Sequence, residues 1–279
     1  MSKNRPLTPD ELDAFTPNEH VLTRLTSFAQ ACGKSPHQIQ VLDWGCGRGR
    51  MVAALRRLGF SAFGVDPDEA AVSNGMQLLG RMGYPGDVLN VIDRDAHTPF
   101  AENRFDFVFS NQVLEHVRDL PAIVSEIARL TRSGGAGLHI FPPRWHIREA
   151  HLRMPVVHWL PKNRMRRTLI YLWSALGIES KWQEMDGAAL KARVDTYYRY
   201  SCDKTFYRSN AEIAAAFRAH GMSCEFCTAD NPKLDHIAPL RWSHGRRYAR
   251  GLINAGLATF VSAELATSVD SGARLEFDH

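Results

Sequence analysis

Val41-Leu42-Asp43-Trp44-Gly45-Cys46-Gly47-Arg48-Gly49 is the stretch from which the rest of the chain can be read. It begins as a short apolar strand carrying one acid. Glycine then falls at every second position, and Arg50 to Leu58 continues as a helix that stops at Gly59. Glycine lets a backbone approach a ligand closely, and a helix N-terminus offers free N–H groups. A dinucleotide fingerprint spaces its last two glycines by three residues, whereas Gly47 and Gly49 are two apart. Asp43, just before the turn, either neutralises a cationic ligand group or organises the turn itself.

Outward from this turn the pattern repeats. Strands are expected at Ile39 to Asp43, Ala62 to Val65, Val88 to Ile92, Phe105 to Ser110 and Ala136 to Phe141. Helices are expected between them at Pro67 to Gly80 and Leu120 to Thr131. Strands alternating with helices imply a parallel sheet covered on both faces. Upstream, Thr8-Pro9-Asp10-Glu11 and Thr16-Pro17-Asn18-Glu19 each read as a helix start, with Thr as cap and Glu three residues on. The rhythm breaks at Pro142-Pro143 and returns with the helix Asn210 to His220, capped by Ser209. Met222 to Thr228 and Ala258 to Leu265 read as closing strands. Four segments follow: N-terminal helices (1–38), a core (39–141), a mostly helical insertion (142–208) and the rest of the core (209–279).

The chain has 279 residues, 44% hydrophobic and 23% charged, which excludes disordered and fibrous classes. The net charge of +4 is unevenly placed. Residues 144–170 carry seven Lys/Arg against Glu149, residues 241–250 carry four Arg and no acid, and the remainder is acidic. Five cysteines form no regular framework, which suggests a reducing, cytoplasmic setting. Met1 to Asp10 shows no secretory signal. The longest apolar run, Leu169 to Ile178, is half the roughly twenty residues that a membrane span needs.

With these segments in place, the sequence resembles the class I S-adenosylmethionine-dependent methyltransferases. Five matched segments carry the resemblance: the glycine turn, Phe63-Gly64-Val65-Asp66, Asp95-Ala96 with Thr98-Pro99-Phe100, Phe105 through Val117, and Gly134-Gly135. The resemblance implies a Rossmann-like, doubly wound sheet of about seven strands, mostly parallel with an antiparallel closing strand. It implies S-adenosylmethionine as cofactor, leaving as S-adenosylhomocysteine. Asp43, Gly45, Cys46, Gly47, Asp66, Pro67, Asp95, Ala96, Asn111 and Gln112 become the expected cofactor contacts. Asp66 would accept from both ribose hydroxyls and Asp95 from the adenine amine.

The implied reaction is in-line methyl transfer from a sulfonium to a nucleophile, so alignment and water exclusion dominate. A base is needed only where the acceptor must lose a proton. His116, Glu149 and His151 are the candidates. The insertion should cover the acceptor, with Arg144, Arg148, His151, His158 and Trp159 as acceptor- or anion-binding residues. His146, His151 and His158 lack the spacing that puts two imidazoles on one helix face, and Cys224-Glu225-Phe226-Cys227 has no second pair, so no metal site is expected. Residues 162–178, basic and then apolar, suggest an interfacial helix on the inner face of a membrane.

The acceptor is therefore expected to be a small molecule or a glycolipid, anionic in character and methylated on an oxygen of a sugar, phosphate-bearing or phenolic molecule. An RNA methyltransferase, a nicotinamide dehydrogenase and a cofactor-binding pseudoenzyme are the rival readings. Nucleic acid is the weaker partner, because Ser110-Asn111-Gln112-Val113 lacks the base-amine motif of that family.

Overall fold

The computed structural model describes residues 6–93, 95–228 and 263–269. Seven strands form one sheet: β1 (Gln40–Trp44), β2 (Ser61–Asp66), β3 (Leu89–Val91), β4 (Phe105–Asn111), β5 (Thr131–Phe141), β6 (Met222–Phe226) and β7 (Ala263–Val269). Their order is β3-β2-β1-β4-β5-β7-β6. Pairing is parallel from β3 through β5, and β7 runs antiparallel to both β5 and β6. The strands reverse direction of winding between β1 and β4, and ligands of such sheets bind at the carboxyl ends of the strands beside that point.

Central strands read as continuous apolar runs because both faces are covered. Alternate residues serve the two layers. Val41, Phe107 and Leu138 pack against α2 (Glu19–Ala31), α3 (Arg50–Arg57) and α4 (Glu69–Arg81). Leu42, Val108 and Phe105 pack against α5 (Leu120–Leu130) and α8 (Asn210–Ala219). A third, smaller core of Leu152, Met154, Val157, Ile170, Val194 and Tyr197 belongs to the insertion, built on α6 (Arg164–Ala175) and α7 (Leu190–Asp203).

Some expected boundaries move for identifiable reasons. The first N-terminal start holds: Thr8 and Glu11 form a reciprocal cap on the short α1 (Pro9–Asp13). The second does not. Asn18, not Thr16, caps α2, its Oδ1 accepting from the N–H groups of His20 at 3.0 Å and Val21 at 3.3 Å. Phe15 to Pro17 are left outside the helix. In the insertion α-helix starts only at Arg164, after a loop folded around Glu149 and the short 3-10 turn Val157–Trp159. The basic segment 241–250, and 258–262 of the expected last strand, lie outside the described residues.

Asp106 ties three segments together at the opposite edge of the sheet. Its carboxylate accepts from Lys34 Nζ at 3.0 Å, Arg132 Nη2 at 2.5 Å and the Gln40 N–H at 2.7 Å. The group is buried, so removing it strands two cations and one N–H. Asp106→Ala is expected to lower stability by about 3 kcal/mol in urea unfolding.

His139 lies in β5 with no exposed surface, its Nδ1 2.9 Å from Ser110 Oγ and its ring 4.6 Å from that of Phe217. Burial pushes its pKa down to about 3. The unfolded chain therefore takes up the proton first, near pH 6.5. Stability from this residue is complete above that pH and is lost as pH falls towards 3. The His139 contribution, read as the difference in urea stability between wild type and His139→Gln, should be constant above neutrality and decline below it, by about 3 kcal/mol at pH 4.

Candidate active site

The glycine turn opens on a cleft of about 470 Å³ at the carboxyl edge of β1 and β4. Asp43, Gly45, Cys46 and Asn111, four of the expected cofactor residues, line it. Its other wall is the segment from Phe15 to Glu19, in which the expected Thr16 cap puts Pro17 and Asn18 in the first turn of a helix. Two contacts hold that segment over the turn. Glu11 accepts from Arg48 Nη1 at 3.2 Å and Nη2 at 3.1 Å, a buried two-point pair. Arg50 lies over the Phe15 ring, 5.0 Å from its centroid.

Asp66 ends β2 and is bound to the turn. Its Oδ2 accepts from the Gly47 N–H at 2.7 Å and its Oδ1 from the Asp68 N–H at 2.9 Å. Each oxygen keeps a second lone-pair direction, so the group can still accept from a diol. Gly47 has φ +54°, and a side chain there would point into open space, so the backbone presents a bare surface to a ligand. Asp43 is buried beside these groups, and burial with the charge of Asp66 pushes its pKa up to about 8. A buried acid pair of this kind calls for a cation, and a sulfonium or ammonium group meets that need.

Other expected cofactor residues stand farther out. Pro67 is exposed after β2. Asp95 is exposed, its N–H bound to Asp93 Oδ1 at 2.9 Å, and Ala96 is buried with φ 67°. Gln112 takes φ 58° and donates its N–H to the Ile140 carbonyl at 2.8 Å. That turn places Val113 against Gly45: a Cβ built on Gly45 would lie 2.3 Å from Val113 Cγ2.

Just beyond Val113, the 3-10 turn Leu114–His116 begins a second cluster. Glu115 is 2% exposed, and neither carboxylate oxygen has a hydrogen-bond partner. His116 Nε2 and His151 Nε2 lie 4.0 and 3.9 Å from its Oε1. His116 Nδ1 donates to the Lys204 carbonyl at 2.6 Å, which turns Nε2 and its lone pair towards Glu115. Burial pushes Glu115 up to about 8, and burial with His116 pushes His151 down to about 4. Near neutral pH Glu115 is thus held mostly protonated and His151 neutral. Its three ligand atoms lie within 4.8 Å of one another, a donor set that also suits a divalent cation. The sequence reading tested metal spacing only along one helix, whereas these donors come from separate segments.

Of the three candidate bases, the fold brings His116 and His151 together. Glu149 is occupied: Oε2 accepts the His151 and Leu152 N–H groups, and Oε1 accepts the Tyr207 hydroxyl at 2.5 Å. It shapes the loop that carries His151. Glu115 is the residue that sequence reasoning missed. The expected anion-binding set also divides. Arg144, His158 and Trp159 line a separate cavity in the insertion. Arg148 is exposed and braces its own loop through the Arg153 carbonyl, at 2.6 Å. The CxxC pair stays reduced, with Cys224 half-buried on β6 and Cys227 buried.

Residues 42–138 match the protein-family model described as a methyltransferase domain. The matched span runs from β1 into β5, so the likeness to a methyltransferase domain rests on the glycine turn and the parallel half of the sheet. Among curated proteins, it is similar to a ubiquinone biosynthesis O-methyltransferase of Rhizobium rhizogenes, 29% identical over 129 residues, covering 45% of this chain and 51% of that one. The chain spans about half the length of this relative, or less for others such as that of Rhizobium etli, 42%. Among solved structures, a putative sarcosine dimethylglycine methyltransferase from Galdieria sulphuraria matches with TM-score 0.51 at 12% identity, covering 91% of this chain and 85% of that one. Phosphoethanolamine N-methyltransferase 2 of Haemonchus contortus, in complex with phosphomonomethylethanolamine and S-adenosylhomocysteine, matches with TM-score 0.50 at 14% identity, covering 95% and 58%. Both likenesses are of fold.

No helix among the described residues is long and apolar enough to cross a membrane.

Proposed function

We propose that the chain methylates an oxygen of a small-molecule or lipid-linked acceptor, using S-adenosylmethionine. The observation that carries this reading is Glu115, a buried carboxylate with no hydrogen-bond partner, two residues past the Val113 contact with the glycine turn. When bound, the cofactor supplies an electrophilic methyl group on sulfur. Asp43 and Asp66 hold the cationic and diol ends, and the Gly45–Gly47 backbone supports the body between them. Phe15 to Glu19 close the cleft from water.

An acceptor amine attacks through a free lone pair, but a hydroxyl must shed a proton. Glu115 in its ionised form takes that proton, and His116 and His151 border it. The similarity to O-methyltransferases supports the oxygen acceptor. A divalent cation at the same three residues would serve the hydroxyl by lowering its pKa. Dialysis against a chelator separates the two: activity kept points to Glu115 alone, and activity restored by added magnesium or manganese points to the cation.

The insertion carries the acceptor side. Met165 and Leu172 of α6, and Leu176 at its C-terminal end, are more than half exposed, which favours contact with a lipid surface. Arg166 takes no part in that face: it is buried, donating to the carbonyls of Leu160 and Ser201, while Arg167 pairs with Asp195.

The deciding experiment is a thermal shift with S-adenosylhomocysteine and, separately, NADH. At a hundred times its dissociation constant a ligand adds about 2.7 kcal/mol of stability, a rise of several degrees. A rise with S-adenosylhomocysteine alone is expected. A rise with NADH alone overturns the methyltransferase reading, and methyl incorporation into tRNA in place of lysate metabolites overturns the small-molecule one.

A further inference from the structure

The insertion holds a second cavity, of about 440 Å³, between the loop before α6 and the connection from α7 to α8. Four cationic side chains line it: Arg144, Lys162, Arg166 and Arg208. No carboxylate does. The acids that these cations feel, Glu149, Asp119, Asp203 and Glu212, lie outside its lining.

Three of the four cations are held in place by backbone carbonyls. Lys162 Nζ donates to Cys202 and Thr205 at 2.6 and 2.7 Å. Arg166 donates to Leu160 and Ser201 at 3.0 and 3.1 Å. Arg208 donates to Val117, Phe206 and Arg118 at 2.8, 3.1 and 2.7 Å. Carbonyls fix where a cation sits but leave its charge in place. A guanidinium has five N–H donors and an ammonium three, so each head keeps donors to spare. Arg166 is 5% exposed, and no salt bridge to it exists among the described residues. A buried charge in that position is costly without an anion.

His158 supplies an independent observation. It is 7% exposed, lines the same cavity, and neither ring nitrogen has a hydrogen-bond partner. Its ring packs 4.8 Å from that of Tyr207, whose hydroxyl binds Glu149 on the other side. Glu149 in turn accepts the His151 N–H at 2.8 Å, so Tyr207 and Glu149 link the cavity to the Glu115 cluster.

We propose that this cavity is a binding site for a phosphate group, gripped by Arg144, Lys162, Arg166, Arg208 and His158, and that the methyl acceptor carries that phosphate. The second half rests on the methyltransferase reading; the first does not. A phosphate brings close to two negative charges and several acceptor oxygens, which suits four cations better than one carboxylate does. The cavity is far larger than the group, leaving room for the molecule that bears it. A free phosphate ester and a lipid headgroup share this chemistry. Lys162 and Arg166 stand at the start of α6, whose exposed apolar residues bear on which source is used.

The test is phosphorus NMR of inorganic phosphate titrated into the whole protein without cofactor, at constant ionic strength, with acetate as the carboxylate control. Wild type should broaden the phosphate signal with millimolar affinity and shift the His158 ring resonances, and acetate should do neither. Arg144→Gln should weaken binding about tenfold, since a charge-assisted hydrogen bond is worth 1.5–3 kcal/mol. Arg144 is 40% exposed at its side chain, which makes a 4.0 Å contact to Glu212 and lies over the exposed Trp145 ring, so this variant should fold. His158→Asn is the second variant, with the same expected direction. No broadening, equal binding of acetate, or binding unchanged in both variants overturns the site.

Vesicles of phosphatidylglycerol and of phosphatidylcholine then separate the sources. Binding to the first alone, lost in Arg144→Gln, assigns a lipid headgroup; phosphate binding without vesicle binding assigns a free ester. Because no cofactor is present, failure here leaves the thermal-shift result standing, and the reverse also holds.

Discussion

Glu115→Gln should lower turnover by roughly 10²- to 10⁴-fold, the range of a lost general base, while S-adenosylhomocysteine binds as before. The substitution keeps the size of the side chain and removes its ability to take a proton. Its pH signature is equally specific. Burial holds the Glu115 carboxyl up to about 8, so below that pH most molecules carry it protonated and unable to act as a base. Wild-type turnover should climb with pH towards 8 and then level, and the variant should lack the climb. Measuring turnover at saturating acceptor from pH 6 to 9 gives both results. An unchanged rate, or a slope kept in the variant, would remove Glu115 from the chemistry. A rate lost together with cofactor affinity would place its role in folding the site.

Asp66→Ala is the second large effect, and it acts on affinity. Asp66 carries two jobs at once: it accepts the Gly47 and Asp68 N–H groups and presents its remaining lone pairs to the cleft. Hydrogen bonds to a charged group are worth 1.5–3 kcal/mol each, so losing one to the ligand and one to the turn should weaken cofactor binding about 100-fold or more. Calorimetry with S-adenosylhomocysteine measures it. Affinity unchanged in Asp66→Ala would mean that the cofactor lies elsewhere than along β2. Asp66→Asn should fall between the two, since its carbonyl can still accept one of these bonds.

The glycine turn and the strands around it were legible because their information is local. Glycine spacing, apolar runs and terminal acids all lie within a few residues of each other. The closing part of the sheet reads the same way, with Ser209 and Glu212 forming the reciprocal cap that opens α8. What failed was what only the folded chain creates. Glu115 stands beside His116 in sequence, but its isolation from hydrogen-bond partners depends on burial by the insertion. Arg166 looked like one more charge on a basic helix start, yet carbonyls of Leu160 and Ser201 draw it inwards. His151 and His158 are seven residues apart and end in different sites, because Glu149 folds the loop between them. Thr16 had the better cap pattern, but Asn18 reaches two N–H groups and wins.

Val113 resting on Gly45 makes two parts of the molecule answer to each other. The residue that opens the loop bearing Glu115 packs on the glycine turn, so a side chain added to the turn at Gly45 would displace that loop. The insertion grips the same loop from its far side, the Phe206 N–H reaching the Glu115 carbonyl at 2.6 Å and Arg208 the Val117 carbonyl at 2.8 Å. The loop is thus a hinge pin clamped at both ends: a push on the turn is felt in the insertion, and a shift of the insertion is felt in the turn.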